Sequence, residues 1–273
     1  MTENRLVKKK LALALGCGGA KGMAHLGVLK AFEEENIFFD EYAGTSIGSI
    51  VGALRAYGYR ADELKERVFN LYLGEYVRYL RPYMDMTFVE GLLNEYLHGV
   101  TFEELAVPFF AWATDKETME GVLLSSGSVA RACTASSAVP PYFHSVDMAG
   151  RSLIDGVYTN PVPADVLRSR GIDFIVGVDL NEVPGSYPAI YHNRLTHLIS
   201  NALDSTVKLS PVSGALARGY DACDFMIKPR LESYAVIDAT RHSLQLMYDE
   251  GYSEAKRCMR KIRQKMLEQG VLI

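Results

Sequence analysis

Gly44-Thr45-Ser46-Ile47-Gly48 fits the pattern G-x-S-x-G, in which a serine sits on a sharp strand-to-helix turn. The backbone doubles back at Ser46. Residues two before and two after it therefore come close together, and a side chain at Gly44 or Gly48 would clash. The flanks agree with this. Phe38–Ala43 reads as a short strand, and Ile47, Ile50, Val51 and Leu54 recur at helical spacing just after the serine. Such a turn lifts the Ser46 hydroxyl to the mouth of a sheet, with a helix N-terminus behind it. Taken alone the pentapeptide is a weak signal, because a turn of small residues that happens to hold a serine fits it as well.

Upstream, Leu11–Leu15 is a compact apolar run that stops at glycines, as a buried parallel strand does. The run resembles the start of a signal peptide because Lys8-Lys9-Lys10 precede it. Five apolar residues are too few for that role, and no clear cleavage site follows. Gly22–Glu35 reads as a helix. Strand, helix, strand, helix in this rhythm implies right-handed βαβ units and a parallel sheet. Further strands are expected at Pro108–Thr114, Met119–Leu124, Ser152–Ile154, Phe174–Val178 and Phe225–Ile227. A long helix is expected from about Ala239 to Glu268, with Leu244, Met247, Tyr248, Cys258, Ile262 and Met266 mostly inside. Val68–Val100 is rich in tyrosine, leucine and methionine, from Tyr72 and Leu73 through Tyr76, Val77, Tyr79, Leu80, Tyr83 and Met84 to Tyr96. A helical cap on the sheet explains this stretch, and so does the wall of an apolar pocket.

The loop Gly16-Cys17-Gly18-Gly19-Ala20-Lys21-Gly22 joins the first strand to the first helix. Its backbone N–H groups, beside a helix N-terminus, make an anion site. A phosphate-binding P-loop would need Gly-Lys-Ser/Thr, which is absent. A dinucleotide fingerprint begins at Gly16 and Gly18, but Lys21 stands in the third-glycine place. An oxyanion hole needs only two or so converging N–H groups, and this loop ends the strand next to the serine's.

Composition sets outer bounds. The chain has 273 residues, 48% hydrophobic content and a formal net charge of −4, as an ordinary globular protein has. That charge gives no support for nucleic-acid binding. Cys17, Cys133, Cys223 and Cys258 lie far apart without metal-ligand spacing and read as buried thiols of a reducing compartment. No stretch approaches the ~20 apolar residues needed to span a bilayer.

Two later segments complete the pattern: Thr134-Ala135-Ser136-Ser137-Ala138-Val139-Pro140, and Asp155-Gly156-Val157-Tyr158-Thr159-Asn160-Pro161-Val162-Pro163. By itself Asp155-Gly156 is a common turn. Together with the glycine loop and the serine pentapeptide, these segments resemble the patatin-like phospholipases. Members of that family show a glycine-rich oxyanion loop, then G-x-S-x-G, an Ala-Ser-x-Ala-x-Pro segment, and Asp-Gly followed by Asn-x-Pro. The resemblance runs from about Leu11 to Val178. It implies an α/β fold with three α/β/α layers around a mostly parallel central sheet. It also implies one domain over 1–273, with core motifs in 11–178 and a C-terminal helical part from about 190 to 273.

The resemblance further implies a Ser–Asp dyad of the bacterial type. Ser46 carries over as nucleophile and Asp155 as general base. Gly18 and Gly19 carry over as oxyanion donors, with Lys21 at the basic position of that loop. Gly44, Gly48 and Gly156 support the motifs. The family usually has three consecutive glycines where Cys17 begins this loop, so Cys17 is expected to keep a negative φ. Val157 fills a place usually held by glycine or alanine.

Chemistry agrees with this assignment. A serine becomes a nucleophile when a neighbouring base takes its proton, and a desolvated carboxylate serves as that base near neutral pH. The expected activity is lipid acyl hydrolysis on a phospholipid, lysophospholipid or other carboxylic ester. It needs no cofactor or metal, and it implies a cytoplasmic protein in transient contact with membrane surfaces. Acyl transfer to an alcohol or thiol uses the same covalent step. A Ser-Asp-His triad would call on His242, and a nucleotide-binding module would rest on the glycine loop. His144 lies near the serine-rich segment, where it lines a pocket or simply packs.

Overall fold

The computed structural model describes residues 9–73, 85–180 and 218–271. In chain order these form β1 (Leu11–Leu15), a 3-10 turn (Gly19–Gly22), α1 (Met23–Glu34), β2 (Glu41–Thr45), α2 (Ile47–Tyr57), α3 (Ala61–Leu73) and α4 (Thr87–Leu97). Then come β3 (Phe109–Asp115), β4 (Gly121–Leu124), α5 (Val129–Ser136), β5 (Val146–Met148), β6 (Arg151–Asp155), α6 (Ala164–Ser169), β7 (Phe174–Val178), β8 (Phe225–Ile227) and α7 (Arg241–Glu268).

Side-chain size along β1 sets the layers. Successive residues of a strand face opposite sides. Leu11, Leu13 and Leu15 join the large core formed with α1, α2, α3, α4, α5 and α7. Ala12 and Ala14 face the other way, into a smaller core shared with Val166 and Leu167 of α6. Large residues thus meet the thick helical layer and alanines the thin one. The result is the three-layer α/β/α architecture that the sequence implies.

The centre of the sheet is parallel. β1 lies between β2 and β7, β2 pairs with β3, and β7 pairs with β8, all parallel. β4, β5 and β6 add an antiparallel flank. Alternate residues of a strand bond to opposite edges, and this settles how three strands share β3. Tyr42 N–H donates to Pro108 O at 3.0 Å, so even-numbered residues of this segment face β2. Lys116 N–H donates to Ser152 O at 2.8 Å, so β6 lies on the same edge. Asp115 N–H donates to Glu120 O at 2.8 Å, which puts β4 on the opposite edge. β2 therefore covers this edge of β3 as far as the Thr45–Trp112 pair, and β6 takes over at the Asp155–Ala113 pair. The two strands meet end to end.

Several boundaries differ from the sequence expectation. The serine's strand is Glu41–Thr45 rather than Phe38–Ala43. Pairing with β1 begins only at Asp40, whose N–H donates to Leu11 O at 2.7 Å, and Phe38 stays 56% exposed before it. α1 starts one residue later than expected, because Gly19–Gly22 is spent on the 3-10 turn. β5 has three residues, too few for a periodic signal. Cys17 and Cys133 are buried, but Cys223 and Cys258 are half-buried, and all four are free thiols. Of the aromatic stretch, residues 74–84 and the side chains of 70–73 lie outside the described residues. The remainder forms α4, whose Val89, Leu93 and Leu97 are buried.

α7 packs along α1. Its buried residues Leu244, Met247, Tyr248, Gly251, Ala255, Met259, Ile262 and Met266 make one helical stripe. Thr240 Oγ1 caps its start by accepting from Ser243 N–H at 3.1 Å. The two helices approach at glycines. A Cβ on Gly251 would lie 2.1 Å from Ala24 O, and one on Gly27 would lie 2.1 Å from Tyr248 O. Gly251→Ala gains up to about 1 kcal/mol of helix propensity. It must also push α7 off α1, and a net loss of about 1–3 kcal/mol is expected. Urea unfolding measures this, and an unchanged or higher stability would mean that the helices separate at little cost.

Candidate active site

The strand-to-helix turn is built as the sequence suggests, with one difference in its cause. Ser46 has φ 56° and ψ −129°. A non-glycine residue there costs on the order of 1–3 kcal/mol and persists only where its surroundings impose it. A Cβ on Gly44 would lie 2.3 Å from Gly48 O, which is the close approach expected. Gly48 is required by another neighbour: its Cβ would lie 2.2 Å from Leu15 O, at the end of β1. Hydrogen bonds hold the turn. Ser46 O accepts from Ser49 N–H at 2.8 Å and from the Ser49 hydroxyl at 2.6 Å. Ser46 N–H donates to Ser136 Oγ at 2.8 Å. Ser46 is buried, with 8% of its surface exposed, and α2 points its positive N-terminal end at it.

Asp155 ends β6, where that strand meets β2, and it is fully buried. Its N–H donates to Ala138 O at 3.0 Å, and its Oδ1 accepts from Val157 N–H at 2.8 Å. Burial pushes the carboxyl up to about 7, against the Ser46 hydroxyl and the Val157 N–H, which both lower it. The Ser46 hydroxyl is near enough to act on the carboxyl, yet Oδ2 has no partner at full hydrogen-bond geometry. The serine–aspartate contact is thus a loose one. Gly156 lets the chain turn here: its Cβ would lie 2.2 Å from Trp112 O and 2.9 Å from Thr45 Cγ2. Thr45 in turn donates its hydroxyl to Asn160 O at 2.7 Å, which ties the serine's strand to the Asn-Pro segment.

The glycine loop lies beside this pair. Gly16 N–H donates to Val178 O, Cys17 N–H to Pro161 O, Ala20 N–H to Val236 O and Lys21 N–H to Gly18 O, at 2.9, 3.0, 2.7 and 3.2 Å. Those four groups are committed to the fold. Gly19 has φ 55°, and a Cβ there would lie 2.4 Å from Val236 O. The Lys21 amide closes the 3-10 turn, and its side chain is buried at 2% exposure. Cys17 keeps an ordinary backbone; among the described residues the non-glycine ones with positive φ are Asn36, Ser46, His98, Met119 and Ala149. Its side chain packs with Ile154, Val157 and Tyr158, joining the loop to the Asp155 segment.

Among the described residues no histidine bonds to Asp155 or contributes to its shifted pKa. His242 is exposed in the first turn of α7, and His144 is exposed with its charge felt by Asp85. His192 and His197 lie outside the described residues. His25 has a role that sequence reasoning missed. It is fully buried on α1, with Nε2 2.7 Å from Gly16 O. Burial lowers its pKa to about 4, so it is neutral and donates from Nε2 to the carbonyl at the root of the glycine loop. Ser136 was visible only as part of a motif. Nothing local in the sequence shows which N–H its hydroxyl meets.

A family model described as patatin-like phospholipase matches residues 13–168. Over 205 residues the chain is 35% identical to patatin-like phospholipase domain-containing protein 6 of Mus musculus, covering 70% of this chain and 15% of that protein. Over 308 residues it is 29% identical to lysophospholipase NTE1 of Pyricularia oryzae, covering 94% of this chain and 20% of that one. The chain thus spans a small part of the length of these relatives. The crystal structure of VipD from Legionella pneumophila shares the fold, with a TM-score of 0.54 at 14% identity over 97% of this chain and 72% of that one.

Burial of Asp155 has a consequence for stability. Its folded pKa, about 7, lies above the ordinary carboxyl value of about 4. Between these values the folded state keeps a proton that the unfolded chain releases. Stability from this group is therefore full below pH 4, falls as pH rises to 7, and stays low above it. At 1.36 kcal/mol per pH unit the loss is up to about 4 kcal/mol. Asp155→Asn is expected to remove this loss and to unfold at higher urea than wild type at pH 8, with a smaller difference at pH 5. Equal changes between pH 5 and 8 in both proteins would show that Asp155 is not raised.

Proposed function

The chain belongs to the patatin-like phospholipase family, and from that premise we propose that it is a serine-dependent lipid acyl hydrolase working through a Ser46–Asp155 dyad. The observation that carries this is a strained serine placed against a fully buried carboxylate whose pKa is about 7. At neutral pH a good fraction of that carboxylate is ionised and basic enough to take a hydroxyl proton.

Asp155 takes the proton of the Ser46 hydroxyl as Oγ attacks the ester carbonyl carbon. Negative charge builds on the carbonyl oxygen, where the Gly18 and Gly19 N–H groups and the N-terminus of α2 receive it. The ester C–O bond breaks, and the departing alkoxide takes the proton from Asp155 and leaves as an alcohol. Water then gives a proton to Asp155 and attacks the acyl-serine. The Ser46 oxygen leaves and recovers that proton, and a fatty acid is released. Lys21 and His25 shape the loop and take no part in proton transfer.

The relatives' names, phospholipase and lysophospholipase, support a phospholipid or lysophospholipid ester as substrate. Four free thiols support a reducing, cytoplasmic compartment, with the protein peripheral at the membrane that presents its substrate. Among the described residues no helix is long and apolar enough to cross a membrane.

Assays on lysophospholipids, phospholipids and short 4-nitrophenyl esters test the reading together with a fluorophosphonate label. Ser46→Ala is expected to fold and to lose both hydrolysis and labelling. Asp155→Asn should lower kcat by about 10²-fold or more. In wild type, kcat/KM should rise with pH through a midpoint near 7, because the base works only when deprotonated. Near-normal turnover by purified Ser46→Ala would overturn the assignment.

A further inference from the structure

The register of β2 and β3 predicts one more ladder bond than the structure contains. Tyr42 N–H donates to Pro108 O, and Tyr42 pairs with Phe109. Continued in steps of two, that pattern brings Ser46 N–H to Trp112 O. The bond is not made. Ser46 N–H donates instead to Ser136 Oγ at 2.8 Å, and the Ser136 hydroxyl donates to Trp112 O at 2.7 Å. A fully buried hydroxyl from the last turn of α5 thus stands between the two groups that would otherwise bond.

Trp112 O is also where β6 stops. A Cβ on Gly156 would lie 2.2 Å from that oxygen. Two residues after Ser136, Ala138 O accepts from Asp155 N–H at 3.0 Å. The segment 136–138 therefore holds Ser46 through a side chain and Asp155 through the backbone.

We propose that Ser136 is the positioning residue of the dyad, its hydroxyl replacing the missing rung and so fixing Ser46 in its strained turn opposite Asp155. Without that hydroxyl, Ser46 N–H loses the acceptor that holds it. The strained turn is then free to relax away from the geometry of attack. The proposal rests on the Ser46–Asp155 dyad as proposed above, but its first readout does not.

That readout is hydrogen exchange at the Ser46 amide in wild type and Ser136→Ala. The expected result is exchange faster by about tenfold or more at Ser46, with Ala43 and Ala111 in the adjoining strands unchanged. The second readout is steady-state hydrolysis of a short 4-nitrophenyl ester. Ser136→Ala should lower kcat by about 10- to 100-fold with KM within about threefold, since the reacting groups are misplaced while the pocket remains. The nearly isosteric Ser136→Cys, whose sulfur is a weaker donor and acceptor, should fall between the two on both counts. It decides the matter if the alanine variant does not fold. Wild-type exchange at Ser46 and wild-type kcat in the folded variants would overturn the proposal. Faster exchange at Ser46, in a protein whose wild type neither hydrolyses esters nor takes the fluorophosphonate, would uphold the clamp and overturn the hydrolase reading.

Discussion

The site depends on two strands sharing one edge of a third. β2 and β6 both bond to the even-numbered side of β3, one parallel and one antiparallel, and each stops where the other begins. A strand advances only about 3.3 Å per residue. Ending the two at adjacent residues of β3 therefore brings the residue after Thr45 next to Asp155, although more than a hundred positions separate them in sequence. Gly156 is needed for the same reason, because its missing Cβ makes room for the Trp112 carbonyl at the junction.

Electrostatics at the junction follow from that geometry. A carboxylate at the end of a buried strand loses most of its hydration, and Val157 N–H and the Ser46 hydroxyl replace only part of it. The resulting free-energy cost is also what raises the group's basicity toward neutral pH. Nearby, burial keeps His25 neutral, so it anchors a carbonyl without adding a second titrating group at neutral pH. The fold thus places one group that changes charge around pH 7 beside donors of fixed sign.

Much of this was legible in the sequence, and the limits have physical causes. β1, β7 and β8 fall where apolar runs end at loop residues. The turns at Ser46 and Asp155 were legible because glycines mark both. Phe38 and Phe39 were drawn into a strand by aromatic propensity, but pairing decides where a strand starts, and pairing is not local. The tandem arrangement on β3 was invisible for the same reason. So was Ser136, a serine among alanines on a short helix, whose value lies in an N–H ninety residues upstream. Glycine signalled a second kind of constraint that local reading misses: Gly27 and Gly251 look like poor helix residues until the two helices are laid together.

That helix crossing also bears on how the chain is made. α1 emerges from the ribosome well before the helix that covers its outer face; Tyr252 and its partner Glu34 are 218 residues apart. At about 5–20 residues per second the delay is on the order of 10–40 s. During that time β1, α1 and β2 can assemble, but Ala24, Gly27 and the surface around them stay open to water. A chaperone that recognises apolar helical surface would find its binding site here. Truncation within α7 would leave that site open in the finished protein.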